Sequence, residues 1–136
     1  MKKTFGVFII CVIASLAAPS FADSIIDYSK NMKKLFDSNP VWVNRAIQIT
    51  DVNTYGRCAN VSMVAMAMEV RGERWDDKTA AIFAGLGETM RRVRLNFLSK
   101  GYSDSNLGSV LRSYSARPVD TPDMQFCIDH FIKITQ

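Results

Sequence analysis

The chain has 136 residues, of which 48% are hydrophobic and 22% charged, with 17 basic side chains against 13 acidic ones. That length is typical of one domain and allows a sizeable core. Lys2 and Lys3 supply two units of the formal net charge of +4 and lie in a segment that we expect to be removed. The remaining charge gives no support to nucleic-acid binding.

The first 22 residues follow the order of a secretory signal peptide. Lys2 and Lys3 precede an apolar run from Thr4 to Ala18, and small residues stand three and one positions before a cleavage site after Ala22. The run is about 15 residues long, whereas a membrane-spanning helix needs about 20. We therefore predict a signal peptide over residues 1–22, then a single helical domain over 23–136 that is periplasmic or secreted, without stable membrane insertion.

Residues 24–37 predict the first helix of the mature chain. Ser24 and Asp27 have the spacing of a capping box. Apolar residues then recur at three- and four-residue steps to about Asp37, at Ile25, Tyr28, Met32 and Leu35. Asn39-Pro40 is a typical start for a short second segment. The apolar spacing there fits a strand as well, so residues 40–49 stay open between helix and strand.

The stretch RCANVSMVAMAMEV, residues 57–70, is apolar on nearly its whole circumference as a helix. Such a helix belongs in an interior, so we predict that it is the central core helix, capped by Asp51 or Thr54 and stopped by Gly72. Its methionines at 63, 66 and 68 have two interpretations. Methionine commonly fills irregular cores, and thioether sulfur also binds Cu(I).

A long amphipathic helix is predicted from Asp76 to Gly101, with its apolar stripe at Ile82, Leu86, Met90, Val93 and Phe97. Gly85 and Gly87 in its middle indicate a bend or a close approach by another helix. The opposite side carries the densest basic run of the chain, Arg91, Arg92 and Arg94. Guanidinium groups favour bidentate recognition, so these are the candidate partner-binding residues. The alternative is an ordinary solvated helix face.

Two further helices are predicted at the end of the chain, one starting at Ser103 or Asp104 and one with Thr121 as its N-cap. Because Cys11 leaves with the signal peptide, Cys58 and Cys127 are the only thiols of the exported chain. In an oxidising compartment such a pair predicts a disulfide. It closes a loop of roughly 70 residues, which is worth on the order of 4 kcal/mol in the chain-entropy model.

No metal or cofactor is predicted. Cys127 and His130 have the spacing of half a zinc site, but the chain holds no C-x-x-C pair and no second histidine to complete it. A lone histidine without a nearby free thiol does not make a nucleophilic catalytic set, and no glycine-rich phosphate loop is present. We therefore predict that the chain is not an enzyme.

Together the elements predict an all-α fold, a small bundle of four main helices plus one short or doubtful element. The expected function is binding of a protein partner, as an inhibitor, immunity factor or adaptor. The alternative is a carrier of an apolar ligand or a soft metal. In size, export and helical pattern the chain is similar to the periplasmic immunity proteins that block type VI secretion amidase effectors. That resemblance concerns architecture and transfers no residues. The sequence leaves the partner and the oligomeric state open.

Overall fold

The structure, a computed structural model, describes residues 25–73 and 75–136. These residues form six helices and no strand, so the predicted all-α class is confirmed. The helices are α1 (Ile25–Asp37), α2 (Pro40–Ala46), α3 (Val52–Val70), α4 (Asp77–Ser99), α5 (Asp104–Ser115) and α6 (Thr121–Thr135). The predicted signal peptide and the Ser24 cap lie outside the described residues.

The helix count differs from the predicted four main helices plus one short element. Among the described residues, five helices have 12 residues or more, and α2 has seven. The predicted total is one short, because the helices predicted one by one along the chain are already five besides the open segment, and all five are present. The open segment 40–49 is helical at its start, since Pro40 suits a first turn and the i, i+4 pair Trp42 and Ala46 is buried.

Side-chain caps begin the helices where polar residues precede the apolar stripes. Asp51, Asp76 and Ser103 each accept a hydrogen bond from a backbone N–H of the first turn, as predicted for the starts of α3, α4 and α5. The predicted cap of α6 is wrong by one residue. Asp120, not Thr121, is the N-cap, because it forms a reciprocal capping box with Asp123.

Glycines with positive φ end the two longest helices. Gly72 follows α3 with φ 98°, and Gly101 follows α4 with φ 103°. Glycine adopts this left-handed conformation without the steric penalty of a Cβ atom. Both helix ends are therefore where the sequence predicts them.

Helices α3 and α4 share the centre of the fold, so the prediction that residues 57–70 form the central core helix holds in part. Helix α3 packs against α1, α4, α5 and α6, and α4 packs against α1, α2, α3 and α6. Residues 80–86 of α4 are all buried. Several of these residues are alanine or glycine, so neighbouring helices approach the α4 backbone closely. A Cβ atom on Gly87 would lie 2.6 Å from the hydroxyl oxygen of Ser62 in α3, which confirms the predicted close approach.

Helix α3 is buried in its first half and partly exposed in its second. Its residues 54–56 and 58–61 are buried, whereas Met63 is 55% exposed and Val70 is 77% exposed. Met66 and Met68 are partly buried. The apolar circumference overstated the burial of this helix, because none of the other five helices that the structure describes covers its outer side there.

A disulfide joins Cys58 of α3 to Cys127 of α6, with the Cα atoms 5.3 Å apart. Both cysteines are completely buried, so the predicted bridge is confirmed. One turn after Cys127, the ring of Phe131 lies where a Cβ atom of Gly85 would otherwise stand. Helix α6 is therefore tied covalently to α3 and packed closely against α4.

Candidate protein-binding surface

The three candidate arginines lie in the second half of α4, and each pairs with a carboxylate of the chain. Arg91 and Arg92 both bind Glu88, and Arg94 binds Asp104 at the start of α5. The structure therefore does not place them together as one free basic face. It divides them into one structural arginine and two surface arginines.

Arg92 is the structural arginine. Its side chain is only 15% exposed, and its Nε atom donates to Oε2 of Glu88 over 2.7 Å. Its Nη2 atom donates to the carboxylate of Asp37 at the end of α1, and this hydrogen bond lowers the pKa of Asp37 below its ordinary value. The guanidinium also lies 5.8 Å from the ring of Phe36. Arg92 thus links α1 to α4 and is occupied by the fold.

Arg91 and Arg94 are the surface arginines, with 41% and 40% of their side chains exposed. Both border a shallow groove of about 200 Å³ between α3 and α4, which we call the α3–α4 groove. The rest of its lining is mainly uncharged, at Tyr55, Ala59, Ser62, Met63, Gly87 and Met90. An apolar depression with two cationic groups at its border suits an apolar side chain that has carboxylates beside it.

Neither surface arginine is indispensable to its present partner. Glu88 is buried, but it keeps Arg92 when Arg91 moves away, so its charge stays paired. Asp104 has a side chain that is 75% exposed, so water solvates it when Arg94 leaves. An exposed ion pair such as Arg94–Asp104 contributes about 0–1 kcal/mol. Arg94 can therefore turn toward an incoming carboxylate at little cost, and Arg91 can do so without leaving Glu88 unpaired.

A second cluster of charges, around Asp123, escaped the sequence analysis. This buried carboxylate receives hydrogen bonds from Arg117 and from Arg57, at 2.8–3.0 Å. The hydrogen bonds from Arg117 lower the pKa of Asp123 well below its ordinary value; burial acts the other way, and Arg57 adds to the lowering. The cluster fixes the connector after α5 onto α3, beside the disulfide.

The spacing of residues in the sequence could predict only some of these ion pairs. Glu88 precedes Arg91 by three residues and Arg92 by four, which is the spacing of ion pairs on one helix. Arg117 and Asp120 are also three residues apart, but they lie in the connector between α5 and α6, where the helical spacing rule does not apply. Asp37 and Asp104 come from other helices, and Asp123 meets Arg57 across 66 residues of sequence. Local spacing cannot predict such contacts.

His130 and the two tryptophans make contacts that belong to the fold. The Nδ1 atom of His130 donates to the carbonyl oxygen of Phe126, 2.9 Å away. Trp42 is buried, and the indole of Trp75 donates to the carbonyl of Ala65. Within residues 25–73 and 75–136, no group of three or more His, Cys, Asp and Glu side chains is placed to hold a metal ion.

Comparison with protein-family models, with curated proteins and with solved structures finds no match to this chain. In the part of the chain that the structure describes, no helix has both the length and the apolar character required to cross a membrane.

Proposed function

We propose that this chain is an exported helical protein, periplasmic or secreted, that binds another protein as an inhibitor, an immunity factor or an adaptor. It acts by binding and not by catalysis. The observation that carries this proposal is the α3–α4 groove, in which the exposed thioether of Met63 adjoins the guanidinium groups of Arg91 and Arg94.

Two features support export. The first 22 residues have the pattern of a cleavable leader. The disulfide between Cys58 and Cys127 is of the kind that persists in oxidising compartments.

The same disulfide also bears on binding. A covalently tied scaffold lowers the entropy lost when a surface is ordered in a complex.

The composition of the α3–α4 groove is that of an interface core. Methionine, tyrosine and arginine are enriched at protein interfaces, where lysine and acidic residues are depleted. The expected partner inserts an apolar side chain between Met63 and Met90 and places carboxylates against Arg91 and Arg94. Opposite charges of this kind also speed the encounter of the two proteins.

A photo-crosslinking amino acid at position 63 tests the location of the interface. In cells that export the protein, we expect this variant to form a covalent complex with one protein partner. The same amino acid at position 125 is the control, because Gln125 is exposed on α6 and does not line the groove. Equal capture at both positions, or capture at position 125 alone, would place the interface elsewhere.

A double substitution, Arg91→Ala with Arg94→Ala, tests the charged border with the captured partner. We expect affinity to fall by about tenfold or more, because two charged contacts are lost. Arg92 is left intact so that the contact between α1 and α4 persists. Arg112→Ala on α5 is the matched control, since this arginine is exposed and outside the groove. Unchanged affinity in the double variant would reject the α3–α4 groove as the binding surface.

A soft-metal carrier is the second candidate, because the thioethers of Met63 and Met90 line the same groove. Thioether sulfur prefers Cu(I) to harder metals. Titration with Cu(I) against a competing chelator distinguishes the two functions. A tight complex that Met63→Leu abolishes would favour the carrier, whereas no retention of Cu(I) favours the protein binder.

A further inference from the structure

Met63 is the most accessible of the methionines that the structure describes. Its exposed fraction is 55%, whereas Met32 and Met90 are 1% and 2% exposed. The remaining described methionines are partly buried: Met66, Met68 and Met124. A thioether at the surface is open to oxidants dissolved in water, and a buried thioether is shielded from them. The fold therefore singles out one sulfur atom for oxidation.

No free thiol competes with Met63 within residues 25–73 and 75–136. An accessible thiolate would react with an oxidant first. Cys58 and Cys127 are joined in the disulfide, and both are completely buried. The exposed thioether is thus the accessible sulfur of the described chain.

Two arginines beside Met63 keep donor atoms that no other described group uses. Arg91 donates to Glu88 through Nε and Nη2, and Arg94 donates to Asp104 through Nη2. Within the described residues, Nη1 of Arg91 and both Nε and Nη1 of Arg94 have no acceptor. Both side chains border the α3–α4 groove that Met63 lines. These cationic donors suit a polar oxygen placed on the sulfur of Met63.

We infer that Met63 is a reversible oxidation site that controls the α3–α4 groove, with a peroxide as the oxidant. The sulfur lone pair forms a bond to one oxygen of hydrogen peroxide as the O–O bond breaks. The sulfur loses two electrons, and the other oxygen leaves as hydroxide. That hydroxide takes the proton from the new S–OH group, which yields the sulfoxide and one molecule of water.

Oxidation changes both properties that the groove offers to a partner; this step rests on the proposed binding function. The sulfoxide is polar, so the apolar contact at Met63 is lost. Its oxygen accepts a hydrogen bond from Arg91 or Arg94 and occupies a guanidinium that would otherwise meet a carboxylate of the partner. Methionine sulfoxide reductases restore the thioether, so the change is reversible.

Oxidation rates of the mature, disulfide-bonded protein test the site without any partner. The protein is treated with hydrogen peroxide for increasing times, and peptide mass spectrometry gives a rate for each described methionine. We expect Met63 to react about tenfold or more faster than Met32 and Met90, and about threefold or more faster than the partly buried methionines. In denaturant the six rates should become similar. A rate at Met66 or Met68 equal to that at Met63, or a lead of Met63 that persists in denaturant, would overturn the inference.

The contact between the sulfoxide and the arginines has its own measurement. NMR of the arginine side-chain N–H groups, before and after oxidation, should show a shift for Arg91 or Arg94. Arg112 is the matched control, because it is exposed on α5 and does not line the groove. Unchanged signals for Arg91 and Arg94, or an equal shift at Arg112, would contradict the contact. Both measurements use the protein alone, so their outcome is separate from that of the proposed function.

The effect on binding is measured with the partner captured at position 63. Peroxide should lower the affinity by about tenfold, and the two reductases, one for each sulfoxide epimer, should restore it. Met63→Leu has no thioether at this position. Whatever its starting affinity, peroxide should leave that affinity unchanged. An equal loss in Met63→Leu and in the wild type, or no loss in the wild type, would overturn the control of the groove by Met63.

Discussion

Gly85 shows how one missing side chain determines the packing of two helices. It lies in the buried middle of α4, where the ring of Phe131 from α6 occupies the space that a Cβ atom would need. Phe131 is itself 1% exposed and cannot withdraw into solvent. The intrinsic preference of a helix for alanine over glycine, about 1 kcal/mol, is therefore outweighed at this position.

We predict that Gly85→Ala destabilises the protein by about 1–3 kcal/mol, because overpacking forces the ring or the helix to move. Chemical denaturation measures the change. Gly108→Ala is the matched control on α5, where the nearest atom to the new Cβ is Nη1 of Arg112, 3.4 Å away at the end of a flexible side chain. That variant is expected to gain up to about 1 kcal/mol. A Gly85→Ala protein as stable as the wild type would show that the helices are not in this close contact.

The second prediction for a single residue concerns Asp123 and the dependence of stability on pH. Its pKa is lowered in the folded state, first by Arg117, so it stabilises the fold at pH values above the ordinary pKa of an aspartate. This contribution is lost as the pH falls below about 4 toward the lowered pKa.

Asp123→Asn keeps the size of the side chain and one oxygen acceptor for the cap of α6. It removes the charge and replaces the other acceptor oxygen with an amide group that cannot accept from the arginines. At neutral pH we expect a loss of about 2–3 kcal/mol, since Arg57 and Arg117 lose their shared partner. Denaturation measured from pH 7 down to about 2.5 should show the difference from the wild type shrinking below pH 4. A difference that stays constant across this range would mean that the carboxylate is not held ionised by the two arginines.

At the scale of helices, the caps and stripes were predictable because they depend on neighbouring residues. Asp51, Asp76 and Ser103 begin their helices as expected, and Gly72 and Gly101 follow the ends. How far each helix is buried was not predictable, because burial depends on what other helices cover. Helix α4, with its run of small residues, is buried over residues 80–86, while in the part of the chain that the structure describes the methionine-rich half of α3 is partly exposed.

For the candidate site, too, the sequence predicted the position of the residues but not their contacts with distant segments. The charge run at residues 91–94 located the relevant part of α4, but not the separate roles of its arginines. Those roles depend on Asp37 and Asp104, which distant segments bring to the helix. The exposure of Met63 was missed because a residue's apolar character does not reveal whether a neighbouring helix covers it.

The separate roles of Arg92 and Arg94 give a prediction for the contact between helices α1 and α4. Arg92→Ala should destabilise the protein by about 1–3 kcal/mol, because buried Glu88 loses its closest partner and α1 loses its link to α4. Arg94→Ala removes a more exposed ion pair and should cost about 0–1 kcal/mol. Thermal unfolding of the two variants side by side measures the contrast. Equal losses would contradict the division into structural and surface arginines.

For the whole molecule, the disulfide and helix α4 act together. The bridge ties α6 to α3 across 69 residues of sequence, and α4 packs against both helices. In the chain-entropy model such a link is worth on the order of 4 kcal/mol, comparable to the net stability of a small domain. In this arrangement the α3–α4 groove lies at the surface, with Met63 exposed in its lining.

We propose that the working molecule is an exported chain without its leader and with its two remaining cysteines joined. Intact-mass measurement of protein taken from its own compartment, denatured and alkylated before and after reduction, tests this most directly. The account predicts a chain that begins at Asp23, with no alkyl group before reduction and one each on Cys58 and Cys127 afterwards. A chain that retains residues 1–22, or one whose cysteines are alkylated without reduction, would contradict it.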